Sequence, residues 1–211
     1  FSAEMKRVLQ VLDYAVLLIS GSDGVQGHTQ TLWNLLQQYE IPTFLFVNKM
    51  DQPGADQAAV MTELKERLSE GCIDFSTSSV LADAVTTDIT DEKKGYDAGI
   101  SQKQTITLNE NTDQNGLSLE TWYEELATCQ EEALEAYLET GTVSDVQIRA
   151  MIREREVFPC YFGSALKMEG IEAFLNGFEF WTEEATYPSK FSAKVYKISR
   201  DEQGQPPDAF K

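Results

Sequence analysis

Asn48, Lys49 and Asp51 are the residues of this chain whose types and spacing point most directly to chemistry. With Val47 and Met50 they end a hydrophobic run, Pro42-Thr43-Phe44-Leu45-Phe46, which reads as a buried strand delivering polar side chains at its carboxyl end. In open α/β sheets that end is where ligands bind. An aspartate there can accept two hydrogen bonds. Guanine presents a matching donor pair, N1–H and the exocyclic amine, which adenine does not. Asparagine can bond the ring's other edge or tie neighbouring loops together, and the aliphatic stem of the lysine can lie along the base. Taken alone, the four-residue pattern fits a surface turn with an N-cap equally well.

A second stretch shifts the balance. Val157-Phe158-Pro159-Cys160-Tyr161-Phe162 is another apolar run, and it leads into Gly163-Ser164-Ala165-Leu166. Together the two stretches resemble the fourth and fifth nucleotide motifs of the translational GTPases, Asn-Lys-x-Asp and Ser-Ala-(Leu/Lys). Within that superfamily the chain looks most like the tetracycline-resistance ribosomal protection proteins and their elongation factor G relatives. Asp23-Gly24-Val25-Gln26, Ile41-Pro42-Thr43 and Phe158-Pro159-Cys160 support the likeness. It covers about residues 1–71 and 120–200, with a poorly matched middle.

The resemblance implies a site and a parent activity. Asn48, Lys49 and Asp51 would bind guanine, with Ser164, Ala165 and Leu166 as the second loop. Ser164 would brace Asp51, and the Ala165 backbone N–H would donate to guanine O6. The cofactor implied is GTP or GDP, with Mg²⁺ in the complete parent, and the partner is the ribosome in the cytoplasm. No residue here is assigned as catalytic or as a metal ligand. The 211 residues contain no G-x-x-x-x-G-K-[ST] phosphate cradle. The chain also begins where the family's Asp-x-Pro-Gly-His stretch should just have ended. The expectation is therefore a segment of a ribosome-dependent GTPase that supplies guanine recognition and is inactive alone. The alternative is a truncated α/β interaction or scaffold module without nucleotide.

These side chains need elements to position them. Met5, Val8, Leu9 and Leu12 mark one face of a helix over 2–12, with Ser2 as N-cap. Asp13 to Ser20 is a continuous apolar strand, and Gly21 to Gly27 turns the chain into a helix near 28–39. Residues 42–47 form the strand before the Asn-Lys-x-Asp turn. Met61, Leu64 and Leu68 mark a helix over 55–70, stopped at Gly71. Trp122, Leu126, Cys129, Ala133 and Tyr137 share one stripe of a single helix over 121–140, ended by Gly141 and read as core. Ser144 and Gln147 form a capping-box pattern for the next helix. After the strand at 157–162, residues 169–181 give a last helix lying on the sheet.

Strand and helix alternate without tight hairpins, which calls for right-handed crossovers and a parallel sheet. The expected fold is α/β: a partial P-loop GTPase-type three-layer fold over 1–181, with the start of a β-barrel domain. A polar variable segment occupies about 72–120, with one short strand at 104–108. Residues 182–190 read as a linker and 191–211 as the truncated second domain. In the implied fold, strand 13–20 would lie beside the P-loop strand, so its edge is a candidate for self-association.

Composition limits the partners. The 17 basic and 35 acidic residues give a formal charge of −18, a surface that repels phosphate backbones and disfavours a free-standing RNA- or DNA-binding module. Cys72, Cys129 and Cys160 are widely spaced with no CxxC pair, which fits incidental thiols in a reducing compartment. The single histidine, His28, reads as loop or helix-start surface. No apolar stretch approaches the roughly 20 residues that span a bilayer, and no signal peptide opens the chain.

Overall fold

In the computed structural model, residues 7–76, 119–184 and 190 are described. Four parallel strands form one sheet: β1 (Ala15–Ser20), β2 (Thr43–Asn48), β3 (Cys72–Asp74) and β4 (Phe158–Phe162). Their spatial order is β1-β2-β4-β3. Ala15 lies opposite Thr43, Leu45 opposite Cys160, and Cys72 opposite Phe158. This register brings the carboxyl ends of β2 and β4 side by side. The two recognition stretches, more than a hundred residues apart in the chain, are thereby neighbours.

Helices cover both faces, as a parallel sheet requires. Along each strand alternate side chains point to opposite faces. Leu17, Ile19, Leu45, Val47, Cys72, Phe158, Cys160 and Phe162 face α1 (Gly27–Gln38) and α2 (Gln57–Arg67), which contribute Trp33, Val60 and Leu64. Phe44, Phe46, Ile73 and Tyr161 face the other layer. That layer holds α3 (Leu119–Ala127), α4 (Glu131–Thr140), α5 (Asp145–Arg153) and α6 (Ile171–Trp181). Phe44 meets Phe178 edge-on at 4.9 Å between ring centroids, and Phe46 meets Phe174 at 5.2 Å. These contacts seat α6 directly on β2, the strand that carries the first motif.

Local chemistry explains several element boundaries. The Asp56 carboxylate accepts from Ala59 N at 3.1 Å and caps α2. Ser144 Oγ accepts from Gln147 N at 3.3 Å and caps α5, the bond that the capping-box pattern predicts. Gly141 closes α4 in the left-handed conformation at φ 73°. The described part of the first helix is residues 7–9, and His28 lies exposed in the first turn of α1.

Three expectations are corrected. The stripe over 121–140 is two helices, because Gln130 is extended at φ −148°, ψ 139°. The residues expected to open the variable segment at 72 instead form β3, and Phe75 after it is fully buried against Trp122 and Trp181. Trp122 Nε1 also donates to Asp74 O at 3.0 Å, tying α3 to that strand. Gly71 does not stop α2, which ends at Arg67. A Cβ at Gly71 would stand 2.0 Å from Glu156 O, so glycine is required there for close backbone approach. The expected strand at 104–108, residues 185–189 of the linker and the whole of 191–211 lie outside the described residues.

Candidate guanine-recognition site

The site is built at the carboxyl ends of β2 and β4 and is knitted mainly by backbone. Gly163 N donates to Val47 O at 3.0 Å, and Met50 N donates to Gly163 O at 3.1 Å. Gly21 N donates to Asn48 O at 2.7 Å, which brings in the loop after β1. In that loop Ser22 Oγ donates to Gln52 Oε1 at 3.3 Å. Three strand ends therefore meet around Asn48.

Asn48 performs the second of the two roles open to it in the sequence. Its Oδ1 accepts from Lys49 N at 2.8 Å and from Ala165 N at 2.9 Å. One side-chain oxygen thus clamps the first motif to the second loop. The Ala165 amide, expected to face guanine O6, donates instead to Asn48 Oδ1. Lys49 adopts a left-handed backbone at φ 65°, uncommon for a residue with a side chain. Such strain collects at functional turns.

The second loop is closed on itself. Ser164 N donates to Glu169 O at 2.9 Å, Glu169 N returns to Ser164 O at 3.1 Å, and Lys167 N donates to Ser164 O at 3.1 Å. Gly163 is required at its base, since a Cβ would stand 2.2 Å from Glu169 O. Ser164 is buried, whereas Leu166 is 92% exposed and free to meet a ligand.

Asp51 stands between the two loops with its side chain 18% exposed. The neighbouring Ser164 hydroxyl, the Asp51 amide and the Lys167 ammonium together outweigh desolvation and hold its carboxyl below the usual carboxylate range. Ser164 Oγ itself has no hydrogen bond of good geometry, so it acts on Asp51 through proximity of its dipole. The Lys167 ammonium lies 3.6 Å from Asp51 Oδ2. An ionised, partly exposed carboxylate beside an exposed apolar side chain is a suitable acceptor for two N–H donors on one edge of a flat ring.

All six residues singled out from the sequence lie in these two adjoining loops. A family model, the elongation factor Tu GTP binding domain, matches residues 1–184. The chain belongs to that family. As a translational GTPase domain it binds guanine nucleotide, and the doubly covered parallel sheet agrees with a P-loop GTPase-type fold. Asn48 ties the two loops together through its side-chain oxygen, and the backbone of Ser164 closes the second loop on Glu169. Lys167, Ser22 and Gln52 were not singled out from the sequence. None belongs to a motif, and only the turn geometry brings them to the site. Among the described residues no helix is long and apolar enough to cross a membrane.

Proposed function

We propose that the chain is the base-recognising part of a ribosome-acting GTPase of the elongation factor G and tetracycline-resistance protection type, working in the cytoplasm with GTP, GDP and Mg²⁺. The supporting stretches are Asp23-Gly24-Val25-Gln26, Asn48-Lys49-Met50-Asp51 and Gly163-Ser164-Ala165-Leu166, each following a strand of one parallel sheet. The observation that carries the guanine assignment is the bond from Ala165 N to Asn48 Oδ1, which locks the two loops together beside Asp51. In this reading Asp51 accepts from N1–H and the exocyclic amine, the Lys49 stem and Leu166 flank the ring, and Ser164 braces Asp51. Asn48 fixes the spacing between the loops by accepting the Ala165 amide. GTP hydrolysis in the complete parent rests on phosphate and metal electrostatics.

Competition among GDP, XDP and ADP tests the reading. Each hydrogen bond to a charged acceptor contributes about 1.5–3 kcal/mol. Asp51→Asn removes the acceptor pair and offers a donor instead. Guanine preference should fall by about two orders of magnitude in the complete parent, and xanthine should become the preferred base. An unchanged order of preference would remove Asp51 from the base site.

A further inference from the structure

We propose that Lys167 is a positioning residue for base recognition, its ammonium holding the Asp51 carboxylate in place as a counter-charge without taking the lone pairs that guanine needs. The proposal rests on the guanine reading above and adds a residue that lies outside both motifs.

The loop geometry explains why this lysine can do so. Lys167 N donates to Ser164 O, and Ser164 is bonded in both directions to Glu169. The Lys167 backbone is thus fixed relative to the residue whose hydroxyl flanks the same carboxylate. Its Nζ stands 3.6 Å from Asp51 Oδ2. That is within ion-pair range but longer than the roughly 2.7–3.2 Å of an N–H···O hydrogen bond. At this distance the ammonium supplies field and orientation while leaving acceptor capacity unused. A carboxylate has about four lone-pair sites on two oxygens, so both guanine donors can still be accepted.

Exposure points the same way. The Lys167 side chain is 52% exposed and that of Asp51 18%. Water reaches the lysine more freely than the carboxylate side chain, and the loop sets the counter-charge beside it. Lys167 is the charged group set directly against Asp51 among the described residues, and Ser164, its other side-chain neighbour, is neutral. A chain of net charge −18 offers little other compensation for one more anion at its binding edge.

The test uses the 211-residue chain and three variants. Lys167→Met keeps the aliphatic stem and removes the charge, Lys167→Gln is a second neutral form, and Lys167→Arg restores the charge. Each is titrated with GDP and with IDP by NMR, from neutral pH down through the carboxylate range, while the Asp51 carboxyl carbon is followed. IDP lacks the exocyclic amine, so the GDP-to-IDP ratio reads how well the carboxylate serves two donors at once. The neutral variants should weaken GDP about two- to five-fold, the range an exposed ion pair supports. They should weaken IDP less, and the acid limb of binding should move to higher pH as Asp51 protonates more easily. Arginine should restore all three. GDP binding with an unchanged ratio and acid limb would overturn the proposal and leave the guanine reading standing. Tighter GDP binding by the neutral variants would also overturn it, because Lys167 would then be a competitor for the carboxylate. Absence of GDP binding in every chain would bring down the reading and the proposal together.

Discussion

At the scale of single residues, the same side-chain chemistry has opposite consequences in different surroundings. Asp51 is an acid kept ionised by a hydroxyl, an amide and a lysine. Glu156 is an acid with the reverse problem. Its Oε2 is buried without a hydrogen-bond partner, and desolvation, together with Glu154 and Glu132, pushes its carboxyl above the usual range. A carboxyl whose folded pKa is raised binds protons more readily in the folded state. Stability therefore rises as pH falls from the folded toward the unfolded pKa, and the ionised form is a liability at neutral pH. Glu156→Gln should stabilise the chain at neutral pH, by an amount that solvent screening reduces. The gain should vanish in acid below the unfolded carboxylate range. Denaturant melts of both proteins across pH would check this, and a gain that persists unchanged in acid would contradict the assignment to ionisation.

At the scale of elements, what was legible followed from pattern length. β1, β2 and β4 each have five or six residues, with apolar runs long enough to stand out. β3 has three, Cys72-Ile73-Asp74, too few to show any period. Its place is fixed by partners far away in sequence: Phe158 opposite Cys72 and the Trp122 indole on Asp74 O. The break between α3 and α4 was hidden because Leu126, Cys129 and Ala133 keep helical spacing across it, with no glycine or proline to mark a stop. Leu126 and Ala133 end in the same core cluster, on either side of the extended Gln130. At the site, the two motifs announced their own residues, whereas Lys167 became visible only when the loop closed through Ser164 and Glu169.

One element remains unbalanced. β1 is the terminal strand of the sheet among the described residues, and its face opposite Leu17 and Ile19 carries Leu18 at 66% and Val16 at 40% exposure. An apolar strand at the edge of a sheet invites pairing with another chain. The 211-residue chain should therefore self-associate with rising concentration. Leu18→Lys places a charge on that strand at little cost to the core, and it should shift sedimentation toward monomer. A wild-type chain that stays a compact monomer at high concentration would refute this edge as the cause of association.

At the scale of the whole molecule, recognition and electrostatics pull in opposite directions. The carboxyl ends of β2 and β4 assemble a base site from backbone and a few side chains, while the chain as a whole carries a net charge of −18. A nucleoside diphosphate brings an uncharged ring and a highly charged tail to the same surface. The ring meets Asp51 and the Ser164–Leu166 loop. The tail meets no G-x-x-x-x-G-K-[ST] within these 211 residues, hence no such glycine-rich amide cradle and no cradle lysine from them. Donors aimed at phosphate oxygens usually contribute the largest electrostatic term in such sites. Salt screens the acidic field beyond about 8–10 Å but leaves the near part. The 211-residue chain alone should then bind GDP with a Kd on the order of 10⁻⁴–10⁻³ M, about −5.5 to −4 kcal/mol. Guanosine should bind nearly as well as GDP, and added Mg²⁺ should change little. Titration of guanosine, GDP and GTP with and without Mg²⁺ would check this directly. Micromolar GDP binding, or a large gain from guanosine to GDP, would show that residues of this chain grip the phosphates after all.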